Sequence, residues 1–364
     1  MIYPLLPAFL TAVLGAGAAS LGIIEGVAEA TASLLKVASG WWSDGSGKRK
    51  PLVLAGYATS GACRPLIGLA GSWVGVLLLR FGDRVGKGLR TSPRDALIAD
   101  AVDPTLRGTA FGFHRAMDHA GAVLGPLAAA GLLALGLGVR SVFLLAAVPA
   151  AAVIAAIQWG VREAPASPLP REASSGDPPE RLAPGFRRLL AAVTLFTLGN
   201  STDAFLLLRL GEAGLAPASV ALLWSAHHGV KMVSTYAGGR WSDRVGRKPL
   251  LVGGWLYYAA VYAGFAAFRS AGALVALFLA YGVYYGLTEP VEKAWAADLS
   301  PRSLRGMAFG LYHGAVGLAA LPASVVFGLL WKGFGSATAF TVGALLALAA
   351  AAALLAVPEP RRAS

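Results

Sequence analysis

LRGTAFGFHRAMDHAG, at 106–121, recurs as LRGMAFGLYHGAVGLA at 304–319, an offset of 198 residues. Upstream of these phrases, Asp100 recurs as Asp298 at the same offset. A second pair of phrases, SGWWSDGSGKRKPL from Ser39 and GGRWSDRVGRKPL from Gly238, repeats at an offset of 199 or 198 residues. The chain therefore consists of two related halves that follow each other in the same order.

The composition excludes a water-soluble globule. Of the 364 residues, 56% are hydrophobic and 14% are charged, whereas a soluble domain has about 25% charged residues. The mean hydropathy is +0.62, and apolar stretches of roughly 20 residues, each able to cross a hydrocarbon core of about 30 Å, recur throughout. We predict an all-α polytopic membrane protein with twelve transmembrane helices in two six-helix pseudo-symmetric halves. Parallel repeats of this kind have their solute site between the halves, near the bilayer midplane.

The apolar stretches define the predicted spans and domains. In the N-terminal half, 1–161, the spans are 1–17, 20–43, 51–70, 72–99, 108–136 and 140–161. In the C-terminal half, 188–364, they are 188–210, 217–240, 249–268, 272–297, 306–334 and 336–357. The segment 162–187 between the halves is rich in proline, serine and charge, which is typical of a disordered linker. The first span is short and has no cytoplasmic segment before it, so we expect Met1 to lie inside the first helix.

Lysine and arginine concentrate in one set of loops, which includes the linker and both repeated phrases, and in the C-terminal tail. The other set of loops holds only Arg140, Arg269 and Lys332. The positive-inside rule therefore predicts that the linker and the C-terminus are cytoplasmic, in a protein of the cytoplasmic (inner) membrane. The concentration of lysine and arginine in the cytoplasmic loops, together with their contact with anionic membrane lipid, explains the net charge of +12. No nucleic-acid partner is therefore expected.

The loop GGRWSDRVGRKPL resembles the signature G-x-x-x-D-R-x-G-R-[KR] of the major facilitator superfamily. The matching residues are Gly239, Asp243, Arg244, Gly246, Arg247 and Lys248. A degenerate copy in the first half retains Gly40 and Asp44 but has Gly45 in place of the arginine. The resemblance covers essentially the whole chain and implies a secondary transporter that works by alternating access.

The fifth span also resembles a family motif. Gly121, Gly125 and Pro126 match the G-x-x-x-G-P motif of the drug and metabolite antiporter branch, although Ala129 and Ala130 replace its final glycine pair. This resemblance implies export by an antiporter.

The two signature loops are predicted to form a conformational latch. Glycine permits a tight reversal and a close approach of helices, and aspartate and arginine at a helix end can pair across the seam between the halves. We assign Asp100 and Asp298 to the same latch. A positively charged loop with a simple turn would explain the lysines and arginines, but not the twofold Gly-x-x-x-Asp spacing.

Charged residues inside the fourth span predict the substrate class. Arg80, Arg84, Lys87 and Arg94 form one helical stripe that cannot face lipid. The equivalent tenth span has tyrosines and acids instead, so we predict a small organic anion or zwitterion as solute. The candidate substrate-binding residues are Arg84, Lys87, Arg90, Arg115, Tyr281, Tyr284, Tyr285 and Asn200. An internal salt-bridge web is the alternative, and it is favoured for Arg94, Asp95 and Glu292.

Ionisable side chains at membrane depth are candidates for proton coupling, because burial and neighbours can move their pKa values into the physiological range. We select Glu29, Asp118, His228 and Asp203, of which Asp203 belongs to a polar break in the seventh span with Asn200 and Ser201. Histidines that are satisfied by a neighbouring acid without moving protons are the alternative. A metal site at His227, His228, Asp118 and His119 competes, but adjacent histidines point to different helix faces and Cys63 is alone. No metal and no cofactor are expected.

Three classes of function remain open. A transporter accounts for the repeats, the latches and the buried charges together. We expect it to be a monomer whose partners are a small solute and protons. Lipophilic or cationic compounds, as in multidrug transport, are the alternative solutes. A membrane enzyme is the second class, but the sequence has no nucleophile motif such as G-x-S-x-G. A receptor or scaffold is the third class, but it would not need charged residues at the bilayer midplane.

Overall fold

The chain was examined as a computed structural model, which describes residues 6, 9–14, 18–163 and 181–359. Within these ranges the side chains of 11, 12, 18–30, 217, 218 and 221 are not described. All regular structure in the described residues is helical, so the all-α prediction is confirmed. Most of the predicted first span and of the linker, and the end of the C-terminal tail, lie outside the described residues.

The helices of the first half follow the predicted spans. They are α1 (Ala18–Ser46), α2 (Lys50–Leu66), α3 (Trp73–Ala101), α4 (Arg107–Ala134), α5 (Val139–Leu145) and α6 (Ala147–Ala155). Single helical turns at Phe9–Val13, Ile67–Leu69, Pro104–Leu106 and Ala156–Gly160 precede or extend them. The sixth span thus consists of the consecutive helices α5 and α6.

The second half repeats this order. Its helices are α7 (Pro184–Gly199), α8 (Ala204–Glu212), α9 (Pro217–Val245), α10 (Arg247–Ala267), α11 (Ala271–Asp298), α12 (Arg305–Phe334) and α13 (Ser336–Leu354). The seventh span is the pair α7 and α8, separated by the polar residues 200–203. The second to twelfth predicted spans therefore each correspond to one helix or one helix pair in the described chain.

Eight helical segments of the described chain are long and apolar enough to cross a membrane. The remaining long helices, α1, α3 and α9, have 29 residues each and so reach about 43 Å. In α3 and α9, buried charged residues such as Asp83 and Lys231 interrupt the apolar surface. Ionisable residues in spans are rare and functional by default, which makes these helices the candidates for a functional site.

The described residues form two compact units whose bounds differ from the predicted halves. Unit 1 comprises Met1–Ala101, Gly121–Glu180 and Arg302–Gly314, and unit 2 comprises Val102–Ala120, Arg181–Pro301 and Ala315–Ser364. The start of α4 thus groups with the second half of the sequence, and the start of α12 with the first. Close glycine packing explains the exchange, because Gly108 lies against the Gly239 backbone of α9 and Gly306 against the Gly40 backbone of α1.

Unit 2 has an aromatic core that fixes the position of α11. Trp255 and Tyr258 of α10 and Tyr281 of α11 are fully buried. Phe196 of α7 stacks on Trp255 with ring centroids 4.7 Å apart. Aromatic side chains bury large areas with few rotatable bonds, so these rings hold α7, α10 and α11 in a defined register.

Candidate functional site

The break between α7 and α8 opens the first part of the site. The chain leaves the helical conformation at Asn200 (φ −100°, ψ 98°). Tyr258 of α10 donates its hydroxyl to the Gly199 carbonyl (3.2 Å) and to Asn200 Oδ1 (3.3 Å), and Asn200 Nδ2 donates to Tyr284 Oη (3.4 Å). A break inside a span is stable only where protein groups satisfy the freed polar atoms. The tyrosines of α10 and α11 provide these partners.

Asp203, at the end of the break, is partly buried and forms an ion pair with the buried Lys231. Lys231 Nζ donates to Asp203 Oδ2 at 3.1 Å, and the hydroxyls of Tyr281 and Tyr285 donate to Asp203 Oδ1 at 3.1 and 2.9 Å. The Lys231 ammonium also lies 3.5 Å from the centroid of the Tyr285 ring. Lys231 is at the middle of α9, about 21 Å from either end. The charges at this depth are therefore paired and hydrogen-bonded, as burial requires.

A second ion pair joins α4 and α11 within unit 2. Arg115 donates to Glu289 in bidentate geometry, Nε to Oε2 at 2.7 Å and Nη2 to Oε1 at 2.5 Å. His119 Nε2 lies 3.6 Å from Glu289 Oε2, and His119 Nδ1 lies 3.2 Å from Nδ1 of His228. These groups form a continuous series of ionisable side chains from α4 to α9.

Tyr285 lies between the two ion pairs. It donates to Asp203, it lies one helical turn before Glu289, and its ring centroid is 6.3 Å from that of His119. We call this set the unit 2 polar cluster: Asp203, Lys231, Tyr281, Tyr285, Arg115, Glu289, His119 and His228. The predicted residues Asn200, Tyr284, Tyr281, Tyr285, Arg115, Asp203 and His228 all lie in it or directly beside it. Tyr281 and Tyr284 are nevertheless buried in the core, so their hydroxyls serve the cluster's own polar groups in this structure.

Sequence reasoning did not select Lys231, His119 or Glu289 as site residues. Each is an ionisable residue inside a span, which is the signal that could have identified it. Asp118, which was selected, has a side chain that is 45% exposed and lies 3.1 Å from Arg115 and 3.8 Å from His114. The side chain of Glu29 lies outside the described residues.

His227 takes part in the cluster through packing. It is fully buried, and its ring stacks on Phe278 and Tyr281 at centroid distances of 4.5 and 5.6 Å. Among the described residues, no three histidine, cysteine or acidic side chains are arranged to hold a metal ion.

The arginines of α3 line a separate cavity in unit 1, of about 630 Å³. Arg80, Arg84 and Arg90 contribute to it with Arg64 of α2. The fully buried Asp83 accepts from Arg64 Nε (2.8 Å) and Arg80 Nη1 (3.3 Å). Of the three predicted substrate-binding residues on α3, Arg84 and Arg90 therefore lie in the cavity wall, and the half-buried Lys87 lies outside it.

Arg94 and Asp95 of α3 belong to another ion-pair group in unit 1. Arg94 donates to Asp95 Oδ1 from Nε (3.0 Å) and Nη2 (2.9 Å), and His313 Nε2 lies 2.8 Å from Asp95 Oδ2. Glu292 lies in unit 2, where it accepts from Trp255 Nε1 at 3.4 Å. The residues grouped as one salt-bridge alternative thus lie in two different units.

The signature loop of unit 2 caps a helix. Asp243 accepts from the backbone N–H groups of Gly108 (2.9 Å) and Thr109 (2.7 Å) and from the Thr109 hydroxyl (2.6 Å). These donors lie at the N-terminus of α4, where helical N–H groups lack intrahelical partners and the dipole favours negative charge. Asp243 therefore holds the end of α9 to the start of α4.

The degenerate loop of unit 1 makes the same arrangement. Asp44 accepts from the N–H groups of Gly306 (2.9 Å) and Met307 (2.7 Å) at the start of α12. Met307 stands where the other half has Thr109, so the third bond is missing here. The two loops are thus equivalent in structure as well as in sequence.

Arginines complete each network. In unit 2, Arg247 binds Asp243 (2.6 Å) and Asp298 (3.1 Å), and Arg107 binds Asp298 (2.8 Å). In unit 1, Arg49 binds Asp44 (3.0 Å) and Asp100, and Arg305 also binds Asp100. The predicted latch residue Arg244 is exposed, and the pairing arginine of its loop is Arg247. The replacement of an arginine by Gly45 in the first half therefore leaves the equivalent pair, Arg49 with Asp44, in place.

Glycines allow the helices of each network to touch. A Cβ atom on Gly239 would lie 2.9 Å from Gly112 Cα and still closer to the Gly108 carbonyl, and one on Gly40 would meet the Gly306 backbone. Gly246 ends α9 with φ 112°, a left-handed conformation that favours glycine. Of the antiporter-like motif, Gly121 and Gly125 line the unit 1 cavity and Pro126 lies inside α4.

The family model described as Major Facilitator Superfamily matches residues 1–210 and 189–364. The chain belongs to the major facilitator superfamily. An uncharacterized MFS-type transporter of Methanocaldococcus jannaschii is 35% identical over 365 residues, covering 98% of this chain and 90% of that protein. An uncharacterized protein of Mycobacterium bovis is 30% identical over 367 residues, covering 97% and 87%.

Solved structures of major facilitator proteins share the fold. A double tryptophan mutant of XylE superposes with a TM-score of 0.78 at 18% identity, covering 94% of this chain and 87% of that one. The human organic anion transporter MFSD10 (TETRAN) superposes with a TM-score of 0.73 at 17% identity, covering 92% and 83%. The described helices of this major facilitator superfamily member therefore have the fold of these solved structures, and its solute has to be argued from its own residues.

Proposed function

We propose that this major facilitator protein moves a small organic anion or zwitterion across the membrane by alternating access and that the movement is coupled to protons through the unit 2 polar cluster. The observation that carries the proposal is the ion pair of Asp203 with the buried Lys231 at 3.1 Å. Beside it lie the bidentate Arg115–Glu289 pair and two histidines whose facing ring nitrogens are 3.2 Å apart. Protonation of a carboxylate in such a cluster leaves its cationic partner without a counter-ion, so the cluster responds to the gain or loss of a proton.

The pairing predicts how a proton and an anion are linked. Protonation of Asp203 removes the counter-ion of Lys231, and a buried ammonium without a counter-ion is costly. The carboxylate of a solute could replace it. A proton on Asp203 and an anion on Lys231 then favour each other, because each ligand binds better to the state that the other stabilises. This linkage supports movement of proton and anion in the same direction.

The arginines of α3 support an anionic solute independently. Arg84 and Arg90 line a cavity together with Arg64 and Arg80, and guanidinium groups match carboxylate and phosphate oxygens in bidentate geometry. Lys87 stays a candidate of lower rank, since it is outside this wall. A solute of lipophilic cations, as in multidrug transport, would have to bind beside these arginines at an electrostatic cost.

Proton-for-solute antiport is the second candidate, and the Gly121-x-x-x-Gly125-Pro126 motif of α4 favours it. Export follows from the same resemblance. The distribution of lysine and arginine supports a cytoplasmic membrane location with the linker and the C-terminus inside. A monomer suffices, since the cluster and the cavity each lie within one chain. The proposal assigns no chemical step to the protein.

The test is proton flux in liposomes that contain purified protein and a pH-sensitive dye. Solute gradients of short carboxylates, amino acids, phosphate esters and lipophilic cations are imposed in turn. We expect an anion gradient to drive protons in the same direction, and Asp203→Asn and Glu289→Gln to abolish this flux. Glu212→Gln is the matched control, because Glu212 ends the same helix α8 and pairs with Arg209 at 3.3 Å on an exposed surface.

Each outcome has one meaning. Proton movement opposite to the solute would support antiport instead of cotransport. Coupled flux that survives in both Asp203→Asn and Glu289→Gln would refute the cluster as the coupling site. Loss of flux in Asp118→Asn alone would assign the coupling role to Asp118, another of the residues selected from the sequence. Folding of every variant is checked by its elution as a single species.

A further inference from the structure

The unit 1 cavity has two chemically different walls. One wall belongs to α2 and α3 and carries Arg64, Arg80, Asp83, Arg84 and Arg90. The other wall belongs to α4 and α6 and is built from the apolar side chains of Leu124, Ala128, Pro149, Ala150 and Val153. A cavity that is lined by both charged and apolar side chains suits a ligand that has both kinds of surface.

The polar wall has a group that is ready to bind an anion. Arg90 is 9% exposed, its Nη1 donates to Ser60 Oγ at 2.8 Å, and its guanidinium lies 4.2 Å from the centre of the Tyr57 ring. Its Nε has no hydrogen-bond partner among the described residues. A buried donor without a partner carries a desolvation cost that a ligand oxygen would remove.

The acid of this wall does not neutralise Arg90. Asp83 is held from two sides, by Arg64 at 2.8 Å and by Arg80 at 3.3 Å. Arg64 is also the accessible arginine, since 42% of its side chain is exposed. Arg64 and Arg90 can therefore approach one anionic group from the mouth and from the depth of the cavity.

The apolar wall leaves room for an apolar body. A Cβ atom added at Gly121 would meet no heavy atom within 4 Å, and Leu124 is 64% exposed. The cavity volume of about 630 Å³ lies within the range of about 300–1,000 Å³ that holds drug-sized ligands. The space beside α4 is thus large enough for an alkyl or aryl group as well as a headgroup.

We propose that the unit 1 cavity binds an anionic amphiphile, with its carboxylate or phosphate on Arg64 and Arg90 and its apolar body against α4 and α6. The ligand has two conceivable sources, a soluble amphiphilic acid and the headgroup of an anionic membrane lipid, which share this chemistry. Only the further claim that the ligand is carried across the membrane rests on the proposed function. Binding does not require it.

The test measures binding of radiolabelled octanoate and octyl phosphate to the protein in nanodiscs of neutral phosphatidylcholine, with empty nanodiscs as blank. Saturable binding is expected for both, at least tenfold weaker binding for acetate, and no saturable binding for octyltrimethylammonium. Equal affinity for acetate and octanoate would contradict the apolar half of the site. Equal affinity for the cation would contradict the anionic half.

Two variants separate the cavity from the rest of the fold. Gly121→Leu fills the empty space, and leucine has a better helix propensity than glycine, so α4 should remain intact. Gly131→Leu is the matched control, because Gly131 lies further along α4, also has no atom within 4 Å of an added Cβ, and is outside the cavity wall. We expect at least tenfold weaker binding in Gly121→Leu and in Arg90→Gln, and unchanged binding in Gly131→Leu. Unchanged binding in Gly121→Leu would overturn the proposal.

Nanodiscs that contain phosphatidylglycerol distinguish the source of the ligand. If phosphatidylglycerol lowers the apparent octanoate affinity of the wild type but does not lower the residual affinity of Gly121→Leu, the cavity is assigned to the lipid headgroup. If the wild-type affinity is the same with and without phosphatidylglycerol, the cavity is assigned to a soluble acid. If octanoate binds while no solute drives proton flux, the proposed function fails and this inference stands. If flux occurs without octanoate binding, the reverse holds.

Discussion

The hydroxyl of Thr109 is the one bond that distinguishes the two helix caps, and its removal is a direct test of the cap geometry. In unit 2, Asp243 accepts this hydroxyl at 2.6 Å in addition to two backbone N–H groups. In unit 1, Asp44 accepts from the two equivalent backbone N–H groups, at 2.9 and 2.7 Å, and Met307 has no hydroxyl to donate. A hydrogen bond to a charged group contributes about 1.5–3 kcal/mol, and removal of a helix cap costs about 0.5–2 kcal/mol.

Thr109→Val should therefore cost about 1.5–3 kcal/mol of unfolding free energy, since valine retains the β-branched shape. With an unfolding entropy of about 2.1 cal/mol/K per residue, the chain of 364 residues loses about 1.3 °C per kcal/mol, so the midpoint of thermal unfolding should fall by about 2–4 °C. The assay follows tryptophan fluorescence of the purified protein during heating. Asp243→Ala should cost more than Asp44→Ala by the same amount, and Met307→Thr should stabilise the protein by adding the missing bond.

The double variant supplies the refutation. If the Thr109 hydroxyl acts through Asp243, then Thr109→Val has no further effect once Asp243→Ala is present, and the coupling energy of the cycle equals about 1.5–3 kcal/mol. Equal midpoint losses from Thr109→Val in both backgrounds would show that the hydroxyl stabilises the protein in another way.

Further predictions concern packing and charge in unit 2. Gly239→Val should lower the unfolding midpoint strongly, because its Cβ would lie 2.9 Å from the neighbouring backbone, whereas Gly253→Val, with no atom within 4 Å, should not; similar losses would contradict the close approach. Tyr281→Phe should cost about 1.5–3 kcal/mol by removing a donor to the Asp203 carboxylate, and a change below 0.5 kcal/mol in denaturant unfolding would refute that bond. Reversing the charge of either Arg115 or Glu289 should destabilise the protein, and the double reversal should restore the thermal midpoint unless the two side chains do not pair.

The repeat offset predicted the helix order and the equivalence of the two loops, because these depend on neighbouring residues. It did not distinguish between the two signature arginines, Arg244 and Arg247, which were both assigned to the latch. Arg244 matches the family signature in sequence, but Arg247 faces Asp243 and Asp298, since the face that a residue presents is decided by the packing of α9 and α10. Arg107 and Arg305 complete the networks from distant positions in the chain.

Depth along a helix was predictable, whereas the direction of a side chain was not. Asp118 and Arg115 are three residues apart on α4 at similar depth, yet Arg115 binds Glu289 while Asp118 is exposed. The polar break at Asn200 and Asp203 was evident because consecutive polar residues interrupt an apolar run. Its hydrogen-bond partners on α10 and α11 were not evident from the sequence, because tertiary packing decides them.

The exchanged helix starts set an order of events during synthesis. Asp243 is separated from Gly108 by 135 residues, and Gly108 has already been made when Asp243 leaves the ribosome, so this cap can form at once. Asp44 must wait for Gly306, which follows 262 residues later. At about 5–20 residues per second, Asp44 of the nascent chain is without these two backbone donors for about 13–50 s. The first half of the protein thus completes its own fold only when the second half is almost finished.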